Sequence, residues 1–130
     1  MTIYGKLSSE QADWLSQNQK LVLSEVLRSY FKWFIAKCFN ALHPGTRFMP
    51  NWHIEAIAWK LEQVRCGRIR RLIITLPPRS AKSHAASVAF PAFIHGHDPS
   101  KKIIAVSYAQ GLAATLHNDY RSVISSTWYR

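Results

Sequence analysis

The feature that most constrains this fold is a change of apolar period near residue 70. Upstream, apolar residues recur every three or four positions, the spacing of an α-helix with one buried face. Leu23, Val26, Leu27, Tyr30, Phe31, Phe34, Ile35, Cys38, Phe39 and Leu42 make one such face, ended by His43-Pro44-Gly45. Its aromatic rings read as core packing rather than a platform for bases. After a loop containing Pro50, Ile54, Ile57, Ala58, Leu61 and Val64 make a second face, with Asn51 as N-cap and Gly67 as C-cap. Then Leu72-Ile73-Ile74-Thr75-Leu76 is a short β-branched run bounded by arginines and Pro77-Pro78, the signature of a buried parallel strand.

A small-residue helical segment follows from Ser80 towards Pro91 and Ile94, then a turn at His95–Pro99. Lys102-Ile103-Ile104-Ala105-Val106-Ser107 reads as a second strand, and Ala109 to Ser125 as a third amphipathic helix with Leu112, Ala113, Leu116, Tyr120, Val123 and Ile124 inward. The order strand–helix–strand–helix predicts an α/β fold with a parallel sheet and a right-handed crossover. Residues 1–47, a polar leader and the first helix, read as an N-terminal helical region, and residues 48–130 as the sheet-bearing part.

Charge narrows the function. Lys and Arg number 17 against 7 acids in 130 residues, a net charge of +10 with the six His neutral. With 48% apolar residues the chain has the means to build a core, so it is no disordered basic tail. The charge points to a polyanionic partner. Arg65, Arg68, Arg70 and Arg71 crowd together, as a solvated rim, a DNA contact or a subunit surface. The apolar stretch Leu21–Leu42 is broken by Glu25, Arg28, Lys32 and Lys37, which excludes a membrane span. No signal peptide is visible in the first 20 residues. Cys38 and Cys66 lack metal spacing and read as reduced thiols of a cytoplasmic protein. His84, His95, His97 and Asp98 read as solvated side chains, not metal ligands.

The chemistry concentrates at Leu76-Pro77-Pro78-Arg79-Ser80-Ala81-Lys82-Ser83. A phosphate-binding loop has the pattern G-x-x-x-x-G-K-[ST] between a strand and a helix. Lys82 and Ser83 occupy the lysine and hydroxyl positions, while Leu76 and Ala81 replace both glycines, and Pro77 and Pro78 offer no N–H. The pattern alone leaves two readings open, a nucleotide site and an ordinary strand–loop–helix joint.

The run Arg71 to Ser83 resembles the P-P-R-x-G-K-[ST] variant loop of tailed-phage terminase large subunits. The flanking blocks agree in order and spacing: Pro50-Asn-Trp-His53, Leu61-Glu62 and Gly67-Arg-Ile-Arg-Arg-Leu72 before the loop, then Phe90-Pro91, Gly96-x-x-Pro99 and Lys102-Ile-Ile-Ala-Val-Ser-Tyr108. The likeness covers roughly residues 48–130. It implies a partial P-loop NTPase sheet and the ATP-binding part of a motor that packages double-stranded DNA into procapsids in a bacterial or prophage setting. By position, Pro78, Arg79, Ser80, Ala81, Lys82 and Ser83 would cradle ATP. Lys82 would hold the β- and γ-phosphates, Ser83 would ligate Mg²⁺, and Arg79 would sense or stabilise the γ-phosphate catalytically. Trp52 and His53 fall where a segment near the adenine precedes the loop, and otherwise read as helix-start packing. Implied partners are a portal protein, a small terminase subunit and further copies in a ring.

An ATPase also needs an acid pair after a second apolar strand. Val106 is followed by Ser107-Tyr108-Ala109-Gln110, with no carboxylate, and no nuclease-like aspartate cluster is present. The chain therefore reads as the first part of a larger ATPase, binding nucleotide without turnover. The alternative is a non-catalytic basic nucleic-acid-binding or interaction module, a decayed prophage remnant.

Overall fold

Helices build the described part of the protein, residues 7–130 of a computed structural model. The first, α1 (Ser9–Gln17), starts at a reciprocal cap. Ser8 Oγ accepts from the Gln11 amide at 3.3 Å, and Gln11 Oε1 accepts from the Ser8 amide at 3.0 Å. The single helix expected over Leu21–Leu42 is two, α2 (Gln19–Ser29) and α3 (Phe31–Leu42), parted at Tyr30 with φ −126° and ψ 103°. No Gly or Pro marks this break. It is a tertiary effect, since α2 packs against α5 as well as α3.

The next helix, α4 (Trp52–Arg65), follows the expected bounds. Asn51 Oδ1 accepts from the Trp52 amide at 2.8 Å, and Ile54, Ile57, Ala58 and Leu61 are buried at helical spacing. Gly67 ends it in the left-handed region, φ +74°, where a side chain is strained.

The α/β expectation fails at the next step. Neither Leu72–Leu76 nor Lys102–Ser107 forms a strand, and no sheet exists among the described residues. Burial along 71–76 still alternates: Leu72, Ile74 and Leu76 lean on the core while Ile73 is 91% exposed. Such two-residue alternation belongs to an extended chain. What is missing is a ladder partner. Two β-like runs make at most a two-stranded ladder, which is marginal in water. Parallel pairing would also set Arg70 and Arg71 beside Lys101 and Lys102. The second run lies in solvent, with Ile104 88% and Val106 89% exposed.

Between the two runs stands one continuous rod. A π-helical segment, His84–Ala89, passes directly into α5 (Phe90–His97). Pro91 explains the widened turns. It has no N–H for the Ser87 carbonyl, and in α-geometry its ring would clash there. The amide of Phe90 bonds instead five residues back, to Ala85 O. The turn expected at His95–Pro99 begins only at Asp98, so His95 and His97 are helical. The last helix, α6 (Gln110–Ser125), buries Val123, while Leu112, expected inward, is 40% exposed.

The core draws on α2, α3, α4, the π-helical segment, α5 and α6, so residues on both sides of position 47 share it. Its centre is aromatic. Phe93 sits 4.9 Å from Phe31 and 5.2 Å from Phe34, centroid to centroid. The Tyr129 hydroxyl donates to Ala92 O at 2.7 Å, pinning the final residues to α5. Cys38 is buried among apolar groups, which pushes its thiol pKa up to about 12, and Cys66 is an exposed thiol.

Candidate functional site

The segment Leu76–Ser83 joins the extended run to the π-helical rod, and Lys82 closes it. Its Nζ donates to the Leu76 carbonyl at 2.8 Å, part-buried, so the ammonium lies across the mouth of the loop. Helical bonding then starts with the Ala85 amide on Ala81 O at 2.9 Å. The amides of Lys82, Ser83 and His84 therefore have no backbone acceptor among the described residues, the usual state of a helix start. Such amides, with a lysine beside them, suit an anion.

Two residues of this loop are left-handed, Arg79 at φ 62° and Ala81 at φ 58°. Ala81 stands where the resembled loop has glycine, and its backbone adopts the conformation glycine would supply. Holding a Cβ there costs about 1–2 kcal/mol. Ala81→Gly should therefore stabilise the protein by about 0.5–1 kcal/mol once the added freedom of the unfolded chain is deducted. Ala114→Gly, at an exposed helical position of α6, should cost about 1 kcal/mol. Urea unfolding of the two variants should move in opposite directions.

The other loop residues divide plainly. Pro77, Pro78 and Arg79 are exposed, and Arg79 makes no ion pair among the described residues. Ser80 Oγ is buried with no hydrogen-bond partner, a cost a ligand acceptor or donor would remove. Ser83 is exposed at the helix start with helical φ −67° and ψ −38°, its hydroxyl open to solvent. Trp52 is not packed at its helix start: 76% of it is exposed, and its ring meets His53 edge-on at 6.2 Å.

His84, expected to be a solvated side chain, is instead half-buried and fastens the loop to the helical region. His84 Nε2 donates to the Ile35 carbonyl in α3 at 3.3 Å, and its ring stands edge-on to Phe39 at 5.6 Å. Burial holds its pKa below the ordinary histidine value of about 6.5. The Ile35 bond and Asp119 oppose that shift, and His43 adds to it. The folded state thus binds its proton later than the unfolded chain as pH falls. The stability of the neutral form is intact above about pH 6.5 and is lost on acidifying towards the lowered folded value. Thermal melting from pH 8 to pH 5 should show a loss that His84→Asn reduces.

His95 is half-buried and His97 exposed, and both rings are hydrogen-bonded. His95 Nε2 donates to Lys101 O at 2.9 Å, which leaves Nδ1 to accept from the Tyr120 hydroxyl at 2.6 Å. His97 Nδ1 donates to Phe93 O at 2.9 Å. These bonds scatter the histidines, and no group of three or more metal-ligating side chains exists among the described residues. The carboxylates are likewise dispersed. Glu62 holds Arg65 at 3.0 Å, Glu55 holds Lys32 at 3.2 Å, and Asp98 accepts from Ser100 and faces Lys101 at 3.6 Å. In the arginine cluster, Arg65 is thus engaged and Arg68 reaches Gln63 at 3.3 Å, while Arg70 and Arg71 are exposed with Arg71 beside the extended run.

No family model, no curated protein and no solved structure matches this chain. Among the described residues, no helix is long and apolar enough to cross a membrane.

Proposed function

We propose that this chain is the ATP-binding part of a phage or prophage terminase large subunit, the motor that packages double-stranded DNA. The observation that carries this is the placement of Lys82 across a loop whose position 81 is left-handed. A nucleotide's phosphates would displace the weaker acceptor, the neutral Leu76 carbonyl, and take a charge-assisted bond instead. The free amides at the start of the rod would add to it. The proposal stands on this loop and on the flanking sequence blocks, not on a sheet.

On this proposal Pro78 to Ser83 line the phosphates, Arg79 reaches the γ-phosphate, and Ser83 offers its hydroxyl to the nucleotide's Mg²⁺. Double-stranded DNA, a portal protein, a small terminase subunit and further copies in a ring are the partners it entails, in a bacterial cytoplasm. Binding without hydrolysis is expected, since no pair of carboxylates serves the loop. Mg-ATP titration followed by a phosphate-release assay tests this. Saturable binding with no turnover is the expected pair of results. Steady phosphate release by this chain would overturn the role assigned to its missing acids, and no binding at millimolar Mg-ATP would overturn the site.

A second function, nucleic-acid binding without catalysis, is favoured by a different observation. The chain carries +10 and exposes two tryptophans, Trp33 and Trp59, each with a lysine over its ring.

A further inference from the structure

Three tryptophans share one surface, away from the aromatic core. Trp52 and Trp59 lie seven residues apart on α4, two turns along one face, with their backbone positions about 10 Å apart along the axis. They are 76% and 59% exposed. Glu55 stands between them, three residues from one and four from the other, on the same face. Its carboxylate bonds Lys32 of α3 at 3.2 Å, and that same Lys32 Nζ lies 5.0 Å from the centroid of Trp33, itself 48% exposed. The Lys32–Glu55 pair therefore joins all three indoles into one patch across α3 and α4. A second cation, Lys60, lies 4.8 Å from the Trp59 ring centroid.

Burying so much indole in a core would be the ordinary economy of a sequence. Leaving three in water, two of them with an ammonium over the ring, marks a contact surface. Its chemistry selects the partner. Protein interfaces deplete lysine at their centres, whereas alternating rings and cations are what a single nucleic-acid strand requires: faces for its bases and charges for its phosphates. A duplex has already stacked its bases on one another and offers no free face to rings on a convex helix. The Trp52–Trp59 separation corresponds to about three stacked nucleotides, at 3.4 Å each. The one acid in the patch, Glu55, is held by Lys32, and the net charge of +10 draws a polyanion in.

We propose that this patch binds single-stranded nucleic acid, with bases stacked on Trp52, Trp59 and Trp33 and phosphates held by Lys32 and Lys60. It deepens the nucleic-acid reading above and is independent of the phosphate loop.

Fluorescence anisotropy of labelled (dT)12 with the full chain tests it, at two salt concentrations and with a 12-bp duplex as competitor. Wild type should bind (dT)12 in preference to the duplex and more weakly at higher salt. Trp59→Ala should weaken binding about 5- to 100-fold, and Trp59→Phe should restore most of it. Trp59 is exposed, so circular dichroism should show unchanged helix content in both variants. Lys82→Ala should bind (dT)12 as wild type does, which separates this surface from the nucleotide site. Equal affinity for the duplex, or no effect of Trp59→Ala, would overturn the proposal in favour of plain charge attraction. Binding to anionic phospholipid vesicles with none to (dT)12 would overturn it in favour of a membrane surface. Loss of (dT)12 binding in Lys82→Ala would move the strand to the phosphate loop and also overturn it.

Discussion

Phe93→Ala should cost about 3–5 kcal/mol of folding stability. The ring is 2% exposed and touches the rings of Phe31, Phe34 and His97, with the Arg65 guanidinium 5.7 Å from its centroid. Its removal leaves a void where α3, α4 and α5 meet, and neighbouring rings refill such a void only partly. A domain of this size has about 5–15 kcal/mol in total, so the variant should sit near its unfolding threshold at 37 °C. Urea unfolding followed by circular dichroism measures the loss. Trp59→Ala, an equally aromatic deletion on the surface, should stay within about 0.5 kcal/mol of wild type. A small effect at Phe93 would mean that the aromatic centre does not hold the helices together.

The second large effect concerns Lys82. Lys82→Ala should lower Mg-ATP affinity about 10- to 100-fold, the worth of one hydrogen bond to a charged group at about 1.5–3 kcal/mol. The same change frees the Leu76 carbonyl to water, so folding stability should fall by no more than about 1 kcal/mol. That contrast separates a ligand-binding lysine from a structural one. Isothermal titration with Mg-ATP, beside a urea curve for each protein, gives both numbers. Lys82→Arg should recover the charge but not the fit, because a planar fork replaces a compact ammonium in a confined loop.

The helical half was legible because burial there follows local period. The stripe Ile54, Ile57, Ala58, Leu61 and the Asn51 cap could be read directly from spacing and residue type. The break at Tyr30 was not, since it depends on α2 meeting α5, a contact 60 residues distant that no local signal carries. The π-turns are legible only in retrospect, from Pro91 inside an otherwise helical run. The strands misled for a different reason. Leu72–Leu76 and Lys102–Ser107 have the composition of buried strands, continuous apolar runs rich in β-branched residues, but a strand needs a partner, and pattern says nothing about whether one is present. Ile104 and Val106 in water are the visible result.

At the candidate site, the identity of Lys82 and Ser83 was plain from the pattern. Their geometry was not. The left-handed backbone at Ala81 turned a mismatch in the pattern into a position where the expected conformation is kept at a cost in strain. His84 was read as solvated, because its role rests on Ile35 across 49 positions. The exposed face of α4 was missed too, since Trp52 and Trp59 look apolar in any pattern and only burial distinguishes a core ring from a bare one.

The most direct measurement is nuclear magnetic resonance of the ¹⁵N-labelled chain titrated with a non-hydrolysable Mg-ATP analogue. The amides of Arg79 to His84 should shift together and saturate in wild type, and should stay in place in Lys82→Ala. Shifts confined to Trp52–Trp59, or no shifts at Arg79–His84, would contradict the assignment of this loop to a nucleotide's phosphates.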